Sequence, residues 1–219
     1  MPFHYESTMD FNNSISEVIT LLNLSSSDEN NREMFMKLAM VSLVTKFQVF
    51  VEKILEEFKY SLNTIPSGKI PTYMKMNSLR LSMEKGNPLT RITSHRNFTE
   101  DKKNGIVLYL ESIAFLSNDA YLINDEFMFN TKFPLGKTGK TELINLLKQI
   151  DGATDPFAQL GNEKFSQLDS VLLNRHSIIH QDRFLGTDHT VQDALSFLKD
   201  LVEYIDNYLY QKWEDINNT

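Results

Sequence analysis

The 219-residue chain contains no cysteine. That absence removes disulfides, thiolate zinc sites and cysteine nucleophiles together. Eight glycines and six prolines exclude collagen-like, linker-like and low-complexity chains. No uninterrupted apolar run reaches the roughly 18–20 residues that cross a bilayer. The opening Met1-Pro2-Phe3-His4-Tyr5-Glu6 lacks a basic stretch followed by an apolar one, so no secretory signal is expected. These absences predict a soluble, cytoplasmic globular protein without membrane contact. What is present is 41% apolar residues over a length ample for one continuous core, which predicts a single domain over 1–219.

Net charge is −7, which argues against a protein that coats nucleic acid with its whole surface. The charge is uneven, however. Between Lys69 and Phe98 stand Lys69, Lys75, Arg80, Lys85, Arg91 and Arg96 against the single acid Glu84, so that segment is +5 and the remainder −12. A local positive surface on an acidic body suits a polyanion, although a solvated loop has the same composition. Lys75, Arg80 and Arg91 are the candidate substrate contacts here.

Helical periodicity dominates. From about Asn31 to Leu62 the apolar residues Met40, Leu43, Val44, Phe47, Val51, Ile54 and Phe58 recur at spacings of three and four, with Ser26, Ser27 and Asp28 as caps. A shorter helix is expected over Asn12–Leu24. Pro66, Gly68 and Pro71 break the pattern, and Gly86-Asn87-Pro88 marks a turn between short helices. Ile106–Leu116 reads equally as helix or strand, and Asp119–Pro134 has room for a short hairpin. Further helices are expected over Thr138–Ile150, Asn162–His180 and Thr190–Trp213. The fold class is therefore all-α: a bundle with its core at about 30–62 and 138–213, and an irregular insertion at about 64–134.

One cation stands in an unexpected place. At 100° per residue from Phe165, the apolar face of Asn162–His180 centres near about 290° and Arg175 falls at about 280°. His176 and His180 lie together on its flank. A guanidinium taken from water needs a partner, whether a core carboxylate such as Glu52, a subunit interface or an anionic ligand. The local sequence is Asn174-Arg175-His176-Ser177-Ile178-Ile179-His180-Gln181-Asp182, an R-x4-H pattern with a polar residue after the arginine.

That pattern, closing an apolar helix before a long final helix, resembles the HEPN superfamily, in its prokaryotic branch associated with defence and toxin–antitoxin systems. The resemblance covers Val41–Phe58 and about Thr138–Trp213, and finds no counterpart for Gly68–Pro134. It implies a HEPN-like bundle, a homodimer that joins two motifs in one cleft, and metal-independent RNA cleavage without a cofactor. Arg175 and His180 would be catalytic, with His176 at a position where members often carry Asn. It also implies an antitoxin or defence-system protein partner. In some relatives a tyrosine two residues beyond the histidine is modified; here that position is Asp182.

The residue types suit such chemistry. RNA brings its own nucleophile, the 2′-OH, and needs a base, an acid and fixed positive charge. Histidine serves the first two with an ordinary pKa of about 6.5, and arginine the third through its planar fork of donors. The expected products are a 2′,3′-cyclic phosphate and a 5′-OH. Other readings stay open. His176 and His180 share a face at a spacing that suits zinc, with His189, Asp182 or Asp188 as a third ligand; alternatively they cap a helix C-terminus. Phe133-Pro134-Leu135-Gly136-Lys137-Thr138-Gly139-Lys140-Thr141 ends like a P-loop but has Pro134 where the motif needs glycine; Lys137 and Lys140 at this helix start are candidate phosphate contacts. The alternative function is a non-catalytic HEPN-like module that binds RNA or protein.

Overall fold

The computed structural model describes residues 4–86, 100–123, 127–134, 139–152, 157, 162–187 and 189–219. Its elements are α1 (Glu6–Ser14), α2 (Ser16–Ser27), α3 (Arg32–Ser61), α4 (Thr72–Gly86), α5 (Glu100–Ser117), α6 (Gly139–Asp151), α7 (Asn162–Gln181) and α8 (Thr190–Asn218), with 3-10 turns at Glu29–Asn31 and Ser67–Lys69. No strand forms among the described residues, so the all-α class holds. The turn Asn87-Pro88 and the cations Arg91 and Arg96 lie outside them, as does Lys137.

The chain forms two compact units. The first comprises Met1–Glu57, Thr131–Leu147 and Asp155–Tyr210. Its centre is α3, where every residue of the expected stripe from Met40 to Ile54 is at most 1% exposed. Phe47 meets Phe133 edge-on at 6.0 Å, and Phe50 meets Phe11 at 5.8 Å. Asp28 caps the turn before α3 by accepting from the Asn31 N–H at 3.3 Å, as expected. By length and composition, Glu29–Ser61 is apolar enough to cross a membrane, with a mean hydropathy of 1.5; 44% of that window is buried inside the protein.

The N-terminus departs from the expected single helix. Two helices form, and the segment that leads into the first, at Glu6, is tied down by a residue about 200 positions away. Asp206 of α8, 1% exposed, accepts from the His4 N–H at 3.0 Å, the Tyr5 N–H at 3.1 Å and the Thr8 hydroxyl at 2.7 Å. Two of these donors are backbone amides just ahead of the helix and the third is a first-turn hydroxyl; of the helix-start amides themselves, Ser7 N–H donates to Glu57 Oε1 at 3.0 Å. No local pattern could announce this. At the other end of the unit, α6 and α7 touch closely: a methyl on Gly139 would fall 1.8 Å from Leu172 Cδ1.

The second unit comprises Phe58–Asn130, Lys148–Thr154 and Gln211–Thr219. The ambiguous segment Ile106–Leu116 is helical, inside α5, and of the expected run of short helices the described residues hold one 3-10 turn and α4, the rest lying outside them. The hairpin is a correction. Among the described residues of 119–134 the sole β pairing is an isolated bridge between Pro66 and Leu122. Side chains take the role of a partner strand: Ser78 Oγ accepts from the Met128 N–H at 2.7 Å, and Gln149 bonds both backbone groups of Asn130. Tyr73 donates its hydroxyl to the Ile150 carbonyl, and burial pushes that phenol up to about 12. Gly152, at φ +72°, ends α6 as the sequence suggested.

Two predictions follow from the first unit. Asp206→Ala strands three donors, the Tyr5 N–H and Thr8 hydroxyl buried and the His4 N–H part-buried, and should cost about 3 kcal/mol in urea unfolding; a loss below about 1 kcal/mol would show that this tie is dispensable. Glu52 and Glu57 should respond to pH with opposite sign. Burial alone would raise Glu52, but Lys132, the Phe133 N–H and Gln48 together hold it below its ordinary 4.5. Its contribution is therefore full above 4.5 and is lost as pH falls through the lower folded value. Burial raises Glu57 against the Ser7 N–H that it accepts. Its contribution is present below 4.5 and is lost as pH rises through the higher folded value. Stability curves from pH 3 to 7 should thus show Glu52→Gln losing stability at neutral pH and Glu57→Gln gaining it (roughly 1 kcal/mol or less each way, given their partial exposure).

Candidate active site

The motif helix α7 changes character along its length. In its first half Leu168, Val171 and Leu172 are buried, as the periodicity requires. In its second half the buried positions are Asn174 and Ser177, each 3% exposed, whereas Ile179 is 46% exposed and Leu173 45%. The apolar face read from the sequence therefore stops one turn early. Arg175 sits at this changeover, half-buried. Its Nε is enclosed and has no hydrogen-bond partner among the described residues.

The partner suggested for a purely structural arginine is taken. Glu52 bonds Lys132 Nζ at 3.0 Å, the Phe133 N–H at 3.2 Å and Gln48 Nε2 at 3.3 Å. No carboxylate pairs with Arg175 among the described residues. An enclosed donor of this kind costs free energy unless something else accepts from it.

Beside the arginine are two imidazoles. His176 is half-buried and His180 exposed, with ring centroids 4.3 Å apart and planes inclined at 48°. One α-helical turn sets that spacing, since residues i and i+4 stack along a face. The three side chains expected to act together thus occupy the last two turns of one helix.

What fixes this helix end was not visible in the sequence. Asp182 adopts φ 51°, the left-handed conformation usually left to glycine or asparagine. Its N–H donates to the Ile178 carbonyl at 3.0 Å, and the next N–H, of Arg183, reaches Ser177 O at 3.3 Å. Lys37 of α3 braces the turn by donating to the Asp182 carbonyl at 2.6 Å and its Oδ1 at 3.0 Å; Glu33 lies 2.9 Å from the same ammonium. Both partners push the lysine pKa up, Glu33 more than Asp182. Asn174 closes the loop from the other side, donating to Leu185 O at 2.9 Å and accepting from Leu185 N at 3.0 Å. Asn174 stands next to the motif arginine, which was a signal available in the sequence. Lys37 offered none, because 145 positions separate it from Asp182.

The remaining expected contacts scatter. Lys140 begins α6 in the same unit, and its N–H donates to Asp169 Oδ1 of α7 at 2.9 Å. An amide of the helix start is thus capped by a side chain of the motif helix; of the two expected caps, Thr141 lies within the helix and Thr138 lies outside the described residues. Lys75 and Arg80 belong to α4 in the second unit. Lys75 is not a surface cation: it is 7% exposed, its ammonium 4.0 Å from Asp119 Oδ1, because its aliphatic stem is drawn into the core. Arg80 is exposed and donates to Asn77 Oδ1 at 3.0 Å. Of the zinc candidates, Asp182 is engaged by Lys37, His189 bonds Gln192 at 3.2 Å, and Asp188 lies outside the described residues. No cluster of three or more His, Asp or Glu able to hold a metal occurs among the described residues.

Comparison with known proteins gives a family but no individual relative. No curated protein and no solved structure matches the chain. A family model described as RiboL-PSP-HEPN matches residues 10–211, including the middle segment Gly68–Pro134 that the motif resemblance left out. With an all-helical fold and a match over most of its length, the chain belongs to this HEPN family.

Proposed function

We propose that the protein is a metal-independent endoribonuclease whose site is formed by Arg175 and His180, assisted by His176. The observation that carries this reading is Arg175, its Nε enclosed and with no carboxylate partner among the described residues, on the same two helical turns as two imidazoles 4.3 Å apart. A HEPN domain makes an RNA-related role the natural class. In this reading the guanidinium binds the scissile phosphate. An imidazole takes the 2′-OH proton, O2′ attacks phosphorus, and a second imidazole protonates the departing 5′ oxygen. The products are a 2′,3′-cyclic phosphate and a 5′-OH.

The second imidazole comes from His176 or from another copy of the chain. Two features support a second copy. Ile179 and Leu173 expose apolar surface on α7, and on α3 Met34 and Leu38 do the same within one turn of Lys37. Large exposed side chains grouped around a catalytic motif are what a partner surface removes from water. The setting, bacterial defence or a toxin–antitoxin system with a silencing protein partner, is taken from the family resemblance, as is a cytoplasmic location. Arg80 and Lys140 are proposed as accessory RNA contacts.

The decisive experiment is cleavage of a labelled RNA in EDTA, with the product ends identified. Arg175→Ala and His180→Ala should each lower the rate by about 10²–10⁴-fold without a change in melting. One 2′-deoxy substitution at the cut site should block cleavage there. Activity that survives both alanine variants, or that vanishes with EDTA, would defeat the assignment. Ile179→Glu should give a monomer by light scattering and lower activity strongly; an active monomer would move the second imidazole to His176.

A further inference from the structure

The turn that ends the motif helix presents one cation that the mechanism above does not use. Arg183 is exposed, and its guanidinium makes no hydrogen bond or ion pair among the described residues. The acid next to it in sequence, Asp182, shares the Lys37 ammonium with Glu33, and the Arg183 guanidinium is bonded to neither carboxylate among the described residues. Its backbone is far from free. The Arg183 N–H is bonded to Ser177 O, the preceding residue is held at both carbonyl and carboxylate by Lys37, and Leu185 is held at both backbone groups by Asn174. An L residue at φ 51° is an uncommon conformation. Three residues anchor this turn, Lys37 from α3 and Asn174 and Ser177 from α7, rather than the loop itself.

We propose that Arg183 is a substrate-binding residue that engages an RNA phosphate next to the scissile one, with Lys37 and Asn174 as positioning residues that hold its turn in place. The proposal rests on the ribonuclease reading above. A guanidinium on a pinned backbone is preorganised, so that binding a phosphate freezes only its side chain. Its planar fork matches two phosphate oxygens at once. The turn begins two residues after His180, so a strand threaded past the imidazole meets this cation at the helix end.

The test uses full-length protein carrying His180→Ala, which leaves bound RNA intact, and a fluorescein-labelled single-stranded RNA followed by anisotropy across a KCl series. Adding Arg183→Ala, a surface change, should weaken affinity about tenfold and make the log–log salt slope shallower by about 0.7, the value for one lost contact on a single strand. Arg183→Lys should restore the slope but only part of the affinity. In the otherwise wild-type enzyme, Arg183→Ala should raise KM and leave kcat nearly unchanged. With Lys37→Met in place, the loss from Arg183→Ala should shrink; equal losses in both backgrounds would remove the positioning role. Unchanged affinity and slope on Arg183→Ala would overturn the proposal while cleavage by the wild type still upheld the ribonuclease. If the wild type cleaves no RNA yet Arg183→Ala still lowers affinity and slope, the ribonuclease reading falls and Arg183 stands as an RNA contact.

Discussion

A guanidinium half-removed from water, with no carboxylate to meet it among the described residues, is the constraint that marks the end of α7. Burial of a charge is tolerated when something compensates it, and Arg175 lacks that compensation within the described residues. Its neighbours show that the fold does supply such partners elsewhere. Glu52 receives three donors, Asp206 three, and Lys37 three acceptors. Against that background, an arginine without such a partner among the described residues is what the proposed anion site rests on.

The first unit provides the rigidity that such a site needs. The aromatic interior around Phe47 and Phe50 fixes α3, and α3 in turn supplies Lys37 to the end of α7. Catalytic geometry tolerates displacements of only about half an ångström before rate is lost. A helix terminus frays unless its last carbonyls and the following turn are held. The left-handed Asp182, the lysine brace and the Asn174–Leu185 pair answer that requirement at the residues where the motif ends.

Much of the architecture was legible beforehand, and the exceptions have a common cause. The stripe from Met40 to Phe58 declared α3 because a long amphipathic repeat is decided by its own residues. The helix α7 over Asn162–Gln181 was equally plain. What escaped were features made by distant partners. The start of α1 depends on Asp206, the cap of α6 on Asp169, and the conformation of 182–185 on Lys37. The absent hairpin has the same origin: Ser78 and Gln149 satisfy backbone groups that a strand would otherwise have paired. On α7 the apolar wheel misjudged Ile179, since a hydrophobic residue near a helix end is free to face a partner rather than its own core. Lys75 was misjudged for the converse reason, a long stem that the interior accepts with its charge kept at the edge.

The bare α-carbon of Gly139 carries a mechanical consequence. Leu172 fills the volume that any larger residue there would claim, so the backbones of α6 and α7 interlock like a tooth in a notch. Sliding of one past the other would require the leucine to climb out, and close-packed interiors resist such shear. Any displacement of α7 at this point must therefore carry the first turn of α6 with it as one body, making the Gly-Lys-Thr corner a lever on the neighbouring helix.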